Sequence, residues 1–163
     1  MIHMLRSILP IAVVLVIPTS LGGAGDAALD RSTLRGLTAL GVIVDKVDAV
    51  LVQEGLTRDA FQTRLERGLQ TAGIRVDPNA KEFLALRVLQ VRANRGPYGI
   101  CLSIGLYQPV LLARDQTMRT ATQTWEAETV LLAEPKLVNE ATISSLDELA
   151  DRFVAAWRSV NPR

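Results

Sequence analysis

The stretch Thr120–Leu131 reads TATQTWEAETVL. In an extended chain, successive side chains point to opposite sides. One side then carries Trp125, Ala127 and Leu131, and the other Thr120, Thr122, Thr124, Glu126 and Glu128. A helix would scatter these two classes around its circumference, whereas a half-buried strand separates them. The stretch is therefore a strand with one dry face and one wet face, the pattern of an antiparallel sheet open to water on one side.

Working outward, Ile100, Leu102, Ile104 and Leu106 alternate with Cys101, Ser103, Gly105 and Tyr107, which predicts a second strand. Phe83–Ala93 predicts a third, with Leu84, Leu86 and Val88 opposite Arg87. The cluster Arg95-Gly96-Pro97-Tyr98-Gly99 between them reads as a hairpin turn. Pro109 cannot donate to a ladder, so the second strand is expected to bulge or become an edge there. The polar stretch Arg114–Arg119 is expected to be a loop. Leu37–Val44 (LTALGVIV) is an apolar run typical of a largely buried strand.

Thr57 is a good helix cap, Asp59 suits the first turn, and Phe61, Leu65, Leu69 and Ala72 trace one helical face. Gly73 fits the left-handed position that closes such a helix. Ile74-Arg75-Val76 reads as a short extended piece before the turn Asp77-Pro78-Asn79. A connection from Glu134-Pro135 to about Ser144 is expected to lead into a last helix. Ser145 and Glu148 would form its capping box, and Leu146, Leu149, Phe153, Trp157 and Val160 its apolar stripe. The order β-α-β-β-β-α predicts an α+β fold: a four-stranded mixed sheet with two amphipathic helices packed on one face, the other face wet.

The first residues carry a different signal. Arg6, the apolar run Ile8–Ile17, the breaker Pro18-Thr19-Ser20 and the small residues Gly22-Gly23-Ala24-Gly25 follow the order of an export leader. Residues 1–27 are expected to be a signal peptide cut after Ala24 or Ala27, leaving 28–163 as a single globular domain. The apolar part is shorter than the roughly 20 residues a bilayer span needs, so no stable transmembrane anchor is expected after processing. The sole cysteine, Cys101, lies deep in the chain and offers no N-terminal acylation site.

Loss of the leader removes His3, the only histidine. No Ser-His-Asp triad, Cys-His pair or His-ligated metal can then form. Catalytic residues, metal ligands and cofactors are not expected. Cys101, without a flanking base, reads as a small hydrophobe within its strand. Lys and Arg number 18 against 17 Asp and Glu, a near-neutral balance that argues against nucleic acid as a partner. Hydrophobic residues make up 48% of the chain, enough for a core, and with aromatics at 4% that core is aliphatic.

The entry Leu34–Leu37, Gly55-Leu56-Thr57, Ala72–Val76 and the ending Ser159–Pro162 resemble a group of small exported bacterial proteins of unassigned function. The order of strands and helices is also similar to that of the lipopolysaccharide-assembly lipoprotein and of the TolB N-terminal domain class. That resemblance implies a non-enzymatic envelope protein that binds partners.

The candidate binding face is the polar row Thr122, Thr124, Glu126 and Glu128, continued on the neighbouring strand by Ser103 and Tyr107. Its expected occupant is an envelope protein or a lipid component, and the expected location is the periplasm or the medium. Two other readings stand beside it: a small-ligand or lipid-binding module with a groove between sheet and helices, and a hydrolase using Glu126 and Glu128 alone.

Overall fold

The computed structural model describes residues 25–92 and 96–162. The leader's residues 1–24 and Arg95 of the expected hairpin turn lie outside the described residues. The chain runs α1 (Ala28–Ser32), β1 (Ala39–Val44), α2 (Ala49–Gln53), α3 (Arg58–Thr71), β2 (Arg75–Val76), β3 (Phe83–Arg92), β4 (Tyr98–Leu112), β5 (Asp115–Ala133) and α4 (Val138–Val160). The α+β class agrees with expectation, but the sheet has five strands in the order β2-β1-β3-β4-β5.

The extra strand is β2. Its two residues pair in parallel with Ala39 and Leu40 of β1, so the extended piece after Gly73 becomes a short edge. β1 is parallel to β3, and β3, β4 and β5 form an antiparallel meander. The sheet is mixed, as expected.

Local chemistry sets the element ends. The Thr57 hydroxyl accepts from the Ala60 amide at 3.2 Å at the start of α3, and Gly73 closes that helix with φ +89°. Asp48 caps α2, its carboxylate accepting from the Val50 amide at 2.8 Å. Asn79 donates its amide to the Asp77 carboxylate at 2.9 Å, the Asx turn that leads into β3.

Two boundaries differ from expectation. α4 begins at Val138, ahead of the Ser145–Glu148 box, because Val138 and Thr142 are buried and carry the apolar stripe further toward the N-terminus. Thr142 satisfies its hydroxyl by donating to the Val138 carbonyl at 2.6 Å. Tertiary burial thus outweighs a good local cap. The stretch expected as a loop around Arg114 is mostly strand. β4 and β5 continue as a two-stranded arm beyond Tyr107, where β3 has ended, and only Ala113 and Arg114 turn. Pro109 falls in this arm, where β4 lacks β3 as a neighbour and proline is tolerated.

α3 packs on β1 and β2, α4 on β4 and β5, and the two helices on each other. The buried hydrophobic strand positions face them, among them Leu40, Val42 and Val44 of β1; Leu84, Leu86 and Val88 of β3; Ile100 to Leu106 in alternation on β4; Trp125 and Ala127 of β5. Phe61, Leu65 and Leu69 of α3 and Leu146, Leu149 and Phe153 of α4 fill the other side of the layer. The Trp125 and Phe153 rings meet edge-on with centroids 5.1 Å apart. The space between sheet and helices is occupied by this core.

The chain ends are tied together. The Asn161 side chain donates to the Leu34 carbonyl at 2.9 Å and accepts from the Gly36 amide at 2.7 Å. The Trp157 indole donates to the Leu37 carbonyl at 2.8 Å. The entry and ending segments quoted in the sequence are therefore one contact.

Candidate binding face

With α3 and α4 on one side, the other side of the sheet is uncovered, and the pairing register reads as rows across it. Phe83, Tyr107 and Gln123 form one row; Ile43, Ala85, Gly105 and Glu126 the next; Arg87, Ser103 and Glu128 the third. Leu89, Cys101 and Val130 follow, then Val91, Gly99 and Leu132.

The polar row expected from alternation is broken by a bulge. The register shifts between Leu106 and Tyr107: Trp125 opposes Leu106, Gln123 opposes Tyr107, and Thr124 is the extra residue. An inserted residue reverses the faces of everything beyond it. Glu126 and Glu128 remain on the open face with Ser103 and Tyr107. Thr122 opposes Gln108 and is turned to the helix side, where it is exposed. Thr124 is used structurally. Its hydroxyl donates to Gln108 Oε1 at 2.7 Å, and Gln108 Nε2 donates to Glu82 Oε1 at 2.8 Å, bracing the root of the arm against the start of β3.

One half of the face is polar around an aromatic pair. Phe83 and Tyr107 stack with centroids 5.2 Å apart and planes inclined by 5°. Beside them is a shallow depression of about 130 Å³, with Ala85 and Gly105 among its lining and Arg87, Gln123 and Glu126 around it. A Cβ at Gly105 would lie 2.9 Å from Gln123 Cδ, so glycine lets the Gln123 side chain lie across the strand. Arg87 pairs with Asp45 at 3.3 Å, both exposed, a contact of small energetic weight.

The other half is apolar. Leu89, Val91, Val130 and Leu132 are 58%, 75%, 73% and 80% exposed, side by side at the hairpin end of the face. The open face is therefore not uniformly wet, although alternation within Thr120–Leu131 reads it as one wet side. Cys101 sits among these residues and is half-buried rather than enclosed. Partial burial pushes its thiol pKa up, and the negative charges of Glu128 and Glu126 push it further, so the thiolate is disfavoured.

The sheet's outer edge at β5 is partly occupied. The Glu126 amide donates to the Gly25 carbonyl at 3.0 Å, and Arg152 donates to the Glu128 carbonyl at 3.0 Å. These contacts leave fewer free backbone groups for an added strand.

No family model and no curated protein matches the chain. Among solved structures, it is similar to a PelC dodecamer subunit from Paraburkholderia phytofirmans, with 13% identity over 72% of this chain and 86% of that one, at a TM-score of 0.43. It is also similar to a minor lipoprotein from Acinetobacter baumannii, with 12% identity over 77% of this chain and 93% of that one, at a TM-score of 0.37. Scores below 0.5 carry neither ancestry nor function across. No helix among the described residues is long and apolar enough to cross a membrane.

Proposed function

We propose that this chain is a non-enzymatic, exported envelope protein that docks a macromolecular partner on its uncovered sheet face. One observation carries the reading: Leu89, Val91, Val130 and Leu132 lie together, 58–80% exposed, on the side away from both long helices. Single exposed apolar residues are ordinary, whereas a contiguous group rimmed by polar side chains marks an interaction surface. The polar half supplies Glu126, Glu128, Arg87 and Ser103 as the rim that fixes orientation.

A groove for a small ligand between sheet and helices is less favoured, because aliphatic and aromatic side chains fill that layer. The depression on the face, about 130 Å³, is below the roughly 300 Å³ at which ligand pockets begin. Export rests on the leader pattern of residues 1–24.

Cys101 makes the face testable in place. A cysteine-directed photo-crosslinker, attached to Cys101 of the purified exported protein above neutral pH where its disfavoured thiolate forms, should capture one discrete component from the envelope fraction, protein or lipid. The double variant V130S/L132S should keep its melting temperature, since both side chains are exposed, and should lose that capture. Equal capture by the folded double variant would remove the face from consideration.

A further inference from the structure

We infer that the leader is cut between Ala24 and Gly25, and that Gly25-Asp26 belongs to the folded domain as the acceptor strap for Trp125. The inference rests on the export reading above and chooses between the two scissile bonds that the leader pattern allows.

Trp125 is 1% exposed, so its indole N–H needs a partner inside the protein. That partner is Asp26, whose Oδ1 accepts from Nε1 at 2.8 Å. Arg31 holds the same carboxylate in a fork, Nε and Nη2 each 2.8 Å from one oxygen. The carboxylate is only 12% exposed and is fixed from two sides.

Gly25 is fitted as closely. Its carbonyl accepts from the Glu126 amide at 3.0 Å on the outer edge of β5. A Cβ there would stand 2.9 Å from Glu126 Cβ and 3.1 Å from the Glu126 carbonyl oxygen, with little freedom for either to move. Ala27 follows as the cap of α1, its amide donating to the Asp30 carboxylate at 3.0 Å.

A cut after Ala27 would delete all three residues. It would strand a buried indole donor, free Arg31, expose the Glu126 amide and place a new ammonium at the positive end of α1. A cut after Ala24 keeps every one of these contacts and leaves Ala24 at −1 and Gly22 at −3, the small residues that a leader peptidase accepts. In the step itself, water is split across the Ala24–Gly25 amide. The hydroxyl goes to the Ala24 carbonyl carbon and the proton to the Gly25 nitrogen, which is then protonated as a free α-amine.

Intact mass and N-terminal sequencing of the full chain expressed with export and recovered from the soluble envelope fraction decide the bond. A first residue of Gly25 is expected. A first residue of Ala28, or any other cut, overturns the inference and leaves export standing. An uncut chain overturns the export reading itself. The strap is tested separately with purified chains. A chain starting at Gly25 and carrying Asp26→Ala should melt about 5–10 °C below its parent, the shift expected when one buried donor loses its acceptor. Asp26→Asn, which keeps an oxygen for the indole, should recover part of that loss and return the Trp125 indole proton toward its parental NMR position. An unchanged melt and unchanged indole signal in Asp26→Ala would refute the strap.

Discussion

Asn161→Ala probes how the chain ends hold the domain together. The side chain makes two contacts across the whole length of the fold, to the Leu34 carbonyl at 2.9 Å and from the Gly36 amide at 2.7 Å, and also donates to the Trp157 carbonyl at 2.9 Å. A typical intramolecular hydrogen bond contributes about 0.5–1.5 kcal/mol net. The Trp157 carbonyl keeps the Asn161 backbone amide as a donor in the variant, so its share is small. The other two contacts together are worth about 2 kcal/mol by that rule, because Leu34 is fully buried and Gly36, at φ +78°, depends on the turn they fix. For a domain of this size the loss corresponds to a melting shift of about 6–10 °C. Differential scanning calorimetry reads it directly. Ser159→Ala is the control: its hydroxyl donates only to the Ala156 carbonyl of its own helix, and it should shift stability by less than about 0.5 kcal/mol. A melt of Asn161→Ala within about 2 °C of the parent would show that the ends are held by packing alone, and the hydrogen-bond reasoning would fail.

Leu65→Ala should cost about 2–5 kcal/mol in urea unfolding, since Leu65 is 1% exposed in the layer between α3 and the sheet. Gly105→Ala should cost less than about 1 kcal/mol, because only the movable end of Gln123 must swing away, whereas Gly25→Ala sets a Cβ against Glu126 Cβ and backbone and should cost about 1–3 kcal/mol more; paired melts compare them. Burial raises the Asp26 pKa, but the Arg31 and Trp125 hydrogen bonds and the charges of Arg31 and Arg152 outweigh it and hold the carboxyl below its usual value. A lowered carboxyl stabilises the fold above its unfolded pKa of about 3.9 and loses that contribution as pH falls through the folded value, so Asp26→Asn should show a smaller loss of unfolding free energy than the parent between about pH 5 and 2. Cys101 should react slowly with thiol reagents at neutral pH in the folded state, and faster in E126Q/E128Q, since the carboxylates that disfavour its thiolate are gone.

The parts of the fold that follow from local chemistry were legible in the sequence. Thr57 and Gly73 delimit α3 because a cap and a left-handed glycine act within a few residues. Alternation in Leu84–Val88 and Ile100–Leu106 assigned their faces correctly, since no irregularity interrupts those runs. What was missed depends on distant partners. β2 is a strand only because β1 lies beside Arg75 and Val76, and α4 starts early only because Val138 and Thr142 find the core. The bulge at Thr124 has no local signature, since TQTWE alternates as well with it as without. Reading through it placed Thr122 and Thr124 with Glu126. The apolar quartet was within reach: pairing the strands back from the Gly96-Pro97 turn sets Leu89 beside Cys101 and Val91 beside Gly99.

The position of that quartet within the sheet limits how it can be used. On an edge strand, exposed apolar side chains combine with unpaired amides and carbonyls, and the result is strand addition to any chain that offers a match. Here Leu89 and Val91 lie on β3, whose backbone is paired with β4, and β4 in turn separates them from Val130 and Leu132. At the outer edge, Gly25 and Arg152 already take the Glu126 amide and the Glu128 carbonyl just ahead of the quartet. Val130 and Leu132 themselves lie on β5, the edge strand of the sheet, so a partner on this face meets the shape of four aliphatic groups and the charged rim, and at β5 the sheet's edge as well. Valine and leucine at these outward positions are not required by the core, whose strand residues face the helices. Threonine would serve the strand as well, since β-branched residues of either polarity fit a pleated surface. Their apolar character is thus left to be explained by what covers them.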